Sequence, residues 1–104
     1  MTVVWTEPAE IRLREIFDYH KTVAGTRTAQ KIVKKIVEHS RILAQNPQAG
    51  PCEGLLKDRP QEFRYLVQGN YKILYWITNE QVLISSVFDC RQNPIKMKEE
   101  IAGQ

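Results

Sequence analysis

Four charged side chains stand in or beside apolar, strand-forming runs: Arg64, Lys72, Asp89 and Arg91. Asp89 and Arg91 close the stretch VLISSVFDCRQNP just ahead of Pro94, so charge collects where a strand ends. Rigid strand ends are common supports for binding groups. A Lys and an Arg gathered at one sheet edge can hold a phosphate or a partner carboxylate, the Arg through its planar fork. The same Asp89–Arg91 pair can instead close the edge as a structural ion pair, the commoner use of such pairs. Arg64 falls in mid-strand, where an unpaired charge is costly, so it needs Asp58, Glu62 or another acid, or cover from a partner. His20 lies on a helical stripe and His39 on a helix flank, and neither has a Ser, Cys or carboxylate at catalytic spacing. Both read as packing or surface residues. Cys52 and Cys90 are far apart and outside any metal-ligand spacing, so they read as reduced structural thiols and no metal is assigned. With no Gly-rich phosphate loop and no paired-carboxylate motif, spacing and composition support neither an enzyme nor a cofactor.

The elements that hold these groups follow from the apolar pattern. A chain of 104 residues with 42% hydrophobic content can fill one modest core, which predicts a single domain over 1–104. The formal charge of +3 favours an acidic partner or nucleic acid in a salt-dependent way, without naming which. Acidic residues arrive early in MTVVWTEPAE, and no apolar run approaches the roughly 18 residues a bilayer span requires. A soluble cytoplasmic protein without membrane contact is expected.

TVVW suits a short strand, and Pro8 suits the first turn of a helix capped by Thr6. Ala9, Leu13, Ile16, Phe17 and His20 recur at helical spacing up to Gly25. A second helix of nearly twenty residues is marked by Ala29, Ile32, Val33, Ile36, Val37, Ser40, Leu43 and Ala44. Lys31, Lys34, Lys35, Glu38 and Arg41 take its other side. Thr26 can cap it, and Asn46-Pro47 ends it. QAGPCEGLLKDRPQE reads as a long surface loop, of the kind that is commonly mobile or functional. Three runs rich in β-branched and aromatic residues follow, FRYLVQ, YKILYWIT and VLISSVFD, with Gly69-Asn70 as a two-residue turn between the first two. The fold class is α+β, with two N-terminal helices packed on one face of an antiparallel sheet of about four strands.

A two-residue turn at Gly69-Asn70 sets Gln68 opposite Tyr71 and Arg64 opposite Tyr75. One face then carries Leu66, Tyr71, Ile73, Tyr75 and Ile77, and the other Phe63, Tyr65, Val67, Leu74 and Trp76. Both are apolar, so both need cover. Two helices cover one side. The other is either a docking surface or is folded over by the chain's own loop and C-terminal tail, and Arg64, Tyr65, Leu74, Trp76 and Arg91 are the partner-binding candidates.

VVWT, AEIRLREIFDYH, AQKIVKKIVEHSRIL, NPQAG, FRYLVQGNYKILYWI and VFDCRQNP, in that order, resemble the RelE/ParE toxins of bacterial type II toxin–antitoxin modules, of the plasmid-stabilisation type. The most specific pieces are Arg64, the Tyr71, Ile73, Tyr75 strand, and the run into RQNP. The resemblance implies a toxin neutralised by a cognate antitoxin, as a homodimer or a toxin–antitoxin heterotetramer. It leaves two activities, inhibition of DNA gyrase or ribosome-dependent mRNA cleavage. Under the second, the catalytic candidates are Lys72, Asp89 and Arg91. The strand before the hairpin offers Phe63, Tyr65 and Val67 where nucleases of the family carry lysines, and no Tyr or His follows Phe88. The resemblance therefore favours the ParE-like, gyrase-directed activity. The mRNA endonuclease and a degenerate, non-toxic binding module are the alternatives. Reading the operator is usually the antitoxin's task in such modules, so no DNA recognition is assigned here.

Overall fold

The computed structural model describes residues 1–101. Its elements run β1 (Thr2–Trp5), α1 (Glu7–Ala24), α2 (Thr26–Ser40), β2 (Arg64–Gln68), β3 (Tyr71–Ile77), β4 (Gln81–Asp89) and α3 (Ile95–Ile101). The strands form one sheet in the order β1-β4-β3-β2. The meander has the register expected from the hairpin, with Arg64 opposite Tyr75 and Gln68 opposite Tyr71. Gly69 takes φ 59. No other described residue except Gly25 has positive φ, as suits a turn that needs it only at its first central position. β1 adds one parallel pairing, Val3 opposite Val82. A parallel pair requires a long connection, which the helices and the meander supply.

Local details modify the expected caps. Thr6 sends its hydroxyl to the Ile84 carbonyl of β4 at 2.7 Å, so it ties α1 to the sheet instead of capping the helix. Gly25, at φ 93, both ends α1 and precedes α2, a backbone conformation that a side chain would strain. α2 tightens into a 3₁₀ turn over Arg41–Ala44, which completes the long second helix predicted from the pattern.

Ile16 of α1, Ile36 of α2 and Leu43 pack with Leu66, Ile73, Tyr75, Val82, Ile84 and Val87 of the sheet. Ile84 and Val87 reach the same face because β4 bulges between them, Leu74 pairing with Ser86 and Tyr75 with Ile84. A second core fills the other face: Leu56, Phe63, Leu74, Phe88, Met97 and Ile101, with Tyr65 and Trp76 partly buried beside it. Of the two ways to cover that face, the chain uses its own. The long loop brings in a 3₁₀ turn, Gly54–Leu56, and the C-terminal segment brings in α3.

The loop is stitched to β2. Cys52 bridges Arg64, Glu53 N–H donates to Phe63 O at 2.8 Å, and Tyr65 N–H donates to Pro51 O at 3.1 Å. Gly50 lies so close to the Tyr65 carbonyl that an added Cβ would stand 2.1 Å from its oxygen. Its N–H donates at 2.9 Å to the hydroxyl of the fully buried Tyr75. Among the described residues no helix is long and apolar enough to cross a membrane.

Candidate functional site

Strand pairing separates the expected basic cluster into two places. Tyr71 is opposite Asp89 and belongs to the helix-side core, whereas Lys72 is opposite Phe88, which belongs to the α3-side core. Neighbouring residues of a strand face opposite ways, so Lys72 points away from the Asp89 side of the sheet.

On the helix side, a cleft of about 360 Å³ opens between α1 and the strand ends, lined among others by Arg12, Tyr19, Tyr71, Asp89 and Arg91. Arg91 clamps Asp89 with Nε to Oδ1 at 3.0 Å and Nη2 to Oδ2 at 2.9 Å, and its backbone N–H adds a bond to Oδ1 at 2.9 Å. These hydrogen bonds hold the Asp89 carboxyl below its ordinary range and raise the Arg91 guanidinium above its own. The strand-end pair is therefore a bidentate ion pair, with Cys90 N–H donating to Asn70 O at 2.7 Å to tie the same end to the hairpin.

His20 Nε2 lies 2.8 Å from the Tyr71 hydroxyl across the α1–sheet junction. Burial, followed by the Asp89 charge, pushes the Tyr71 phenol up, so it stays protonated at neutral pH. A His–Tyr pair next to two arginines can relay a proton or fix the orientation of a bound group. Spacing could not reveal this pair, because 51 residues separate its members.

On the other face, Lys72 Nζ is 2.7 Å from Glu53 Oε2, and Glu53 is only 5% exposed. The ammonium also sits 4.2 Å from the centroid of the Tyr65 ring. Lys72 is thus matched by a buried carboxylate and an aromatic face. Glu53, which also accepts from Leu55 N–H at 3.3 Å, was not a site candidate. Its only signal in the sequence is an acid placed among glycines and leucines in an overlong loop.

The five partner-binding candidates do not form one surface. Arg64 finds the acid it needed in Glu62, at 3.0 Å, and donates to Gly50 O at 2.8 Å. Arg91 lies at the helix-side cleft. Tyr65 and Trp76 are partly buried beside the second core, but Leu74 is fully buried in it. Leu74 is therefore corrected from a docking residue to a core residue, since α3 and the loop already occupy its face. Val67, on the same side, is 52% exposed.

Both cysteines are free thiols. The bond that Cys52 donates to Glu62 at 3.0 Å and the burial of Cys90 push both thiols up, which disfavours the reactive thiolate. Among the described residues no group of His, Cys, Asp and Glu could hold a metal.

A family model described as the ParE toxin of the type II toxin–antitoxin system parDE matches residues 3–94. No curated protein matches the chain significantly. Among solved structures, a chain of the "Chromosomal ParDE TA system from P. aeruginosa" is similar with a TM-score of 0.73 at 23% identity. The match covers 86% of this chain and 95% of that one, and it establishes the shared fold.

Proposed function

The chain belongs to the ParE toxin family of type II toxin–antitoxin systems, and from that premise we propose that it arrests growth by inhibiting DNA gyrase and is silenced by a cognate antitoxin. The observation that supports a gyrase target over mRNA is the separation of the basic residues. Cleavage next to a 2′-hydroxyl needs a base, an acid and phosphorane-stabilising cations converging on one phosphate. Here Lys72 is neutralised by Glu53 on the α3 side, and Arg91 clamps Asp89 on the helix side. The endonuclease reading keeps one supporting observation, the His20–Tyr71 pair at the edge of the cleft that Arg12 and Arg91 line.

The antitoxin contact we place on the rim of the α3 face, where Tyr65 and Trp76 are half-buried and Val67 is exposed. Aromatic side chains with an uncovered edge are favoured anchors at such contacts. The toxin would then form a homodimer by itself or a heterotetramer with its antitoxin, and light scattering of the free toxin and of the co-purified complex reads each mass. Controlled induction with and without the antitoxin tests the toxin reading. Arrest rescued by the antitoxin, with loss of plasmid supercoiling and intact transcripts, is the expected result. Codon-mapped mRNA cuts that disappear in His20→Ala or Arg91→Ala would replace gyrase with the ribosome.

A further inference from the structure

The net charge of this protein sits on one helix. Between Thr26 and Ala44 stand five cations, Arg27, Lys31, Lys34, Lys35 and Arg41, against one acid, Glu38. The remaining chain holds ten cations and eleven acids and is nearly neutral. All five cations are exposed. Arg27, Lys31 and Lys34 recur every three or four residues and so lie along one line, opposite the buried Ala29 and Ile36. Of these five cations only Lys34 has an ion-pair partner among the described residues, Glu38 at 3.9 Å, a long and exposed contact. No acid occupies the first turn of α2, so the positive end of the helix dipole adds to the same field.

We infer that the outer face of α2 is a docking surface for the phosphate backbone of double-stranded DNA, contacted without reading sequence. The stripe from Arg27 to Arg41 is about 20 Å long at 1.5 Å rise per residue. Duplex DNA presents roughly one negative charge per 1.7 Å of axis along such a length. From Arg27 to Glu38 the exposed residues are cationic, acidic or hydrogen-bonding (Thr28, Gln30), and none is apolar. That composition fits backbone contacts, which use Lys, Arg, Thr and Gln side chains. It does not fit a protein partner, whose contact surfaces favour aromatic and apolar side chains over Lys. Nor does it fit single strands, which are gripped by aromatic stacking, or a membrane, which the stripe has no apolar residue to enter. The surface is remote in character from the strand-end cleft and from the α3 rim, and its role does not depend on the gyrase reading.

The test is fluorescence anisotropy of a labelled random-sequence duplex titrated with the full chain between about 50 and 200 mM salt. Four to five contacts predict a slope of log affinity on log salt of about −4. In the triple variant Lys31→Gln, Lys34→Gln, Lys35→Gln the slope should shrink by about 3, with at least a tenfold loss of affinity at the low-salt end. The matched Lys→Arg triple variant should keep both. Arg14→Gln with Lys21→Gln on α1 should change neither, because those cations lie among acids. Circular dichroism checks that each variant is folded. Unchanged binding in the Gln variant overturns the proposal. So does a parent protein that prefers single-stranded RNA, an acidic polypeptide or anionic vesicles to the duplex.

Discussion

The two faces of the sheet make the same demand and meet it with different means. Among the described residues, the helix-face core holds eleven buried residues between the sheet and two long helices, whereas the α3-face core holds six between the sheet, a three-residue 3₁₀ turn and a seven-residue helix. Helices as short as α3 have little stability of their own, so α3 is held by what it covers. The second face also carries a buried carboxylate at its rim, Glu53, 5% exposed, whereas Asp89 on the first face is 16% exposed. The stability of the domain should therefore be concentrated on the helix side, and its capacity to respond to a partner on the α3 side.

Core truncation is the strongest way to break that contrast. Ile36→Ala, at a position of α2 that faces the sheet with no exposure, should lower stability by about 3–5 kcal/mol in urea unfolding. Met97→Ala on α3 should cost about 2 kcal/mol, because so short a helix can settle into the space. An equal or larger loss at Met97 would reverse the ranking of the faces. Lys72→Met should come next, with a loss of about 1–3 kcal/mol, since it strands the buried Glu53 carboxylate. Glu53→Gln should lose less than Lys72→Met, because Lys72 is 24% exposed and can still reach water.

Two smaller effects sharpen the account of the strand end. Tyr71→Phe removes the phenol that meets His20 and should cost about 0.5–1.5 kcal/mol, read from the same unfolding curves. The Asp89–Arg91 clamp should show itself through pH. The Asp89 carboxyl is depressed in the folded chain, chiefly by the hydrogen bond from Arg91. Its contribution is therefore full above the unfolded carboxyl value of about 3.9 and is lost as pH falls through the lower folded value. Unfolding curves of the parent and Asp89→Asn should differ at neutral pH and converge in strong acid, and a gap that widened on acidification would contradict the clamp.

Much of this was legible in the residues. Gly69-Asn70 set the hairpin register, and from it came the division of the sheet residues into two faces, with Tyr75 on one and Trp76 on the other; which of them lies under the helices came only from the structure. The need of Arg64 for an acid was also legible, and Glu62 meets it. α3 escaped because IKMKEEI is too short for a helical period to be distinguished, although the tail was one of the two covers considered for its face. The bulge in β4 escaped because SS within an apolar run gives no sign of an extra residue. Lys72–Glu53 and His20–Tyr71 escaped for a different reason, since contacts made only by tertiary packing leave no spacing rule behind. The consequence for function was specific: Lys72 and Arg91 looked like one cluster along the chain and are two sites on opposite faces.

That separation underlies the choice of gyrase over mRNA, and a supercoiling assay tests it most directly. Purified protein, added to gyrase, ATP and relaxed plasmid, should block supercoiling or trap cleaved DNA, and added antitoxin should restore activity. Lys72→Met should retain the inhibition if it folds, since its charge is already spent on Glu53. Normal supercoiling in the presence of protein that arrests growth in cells would contradict the account.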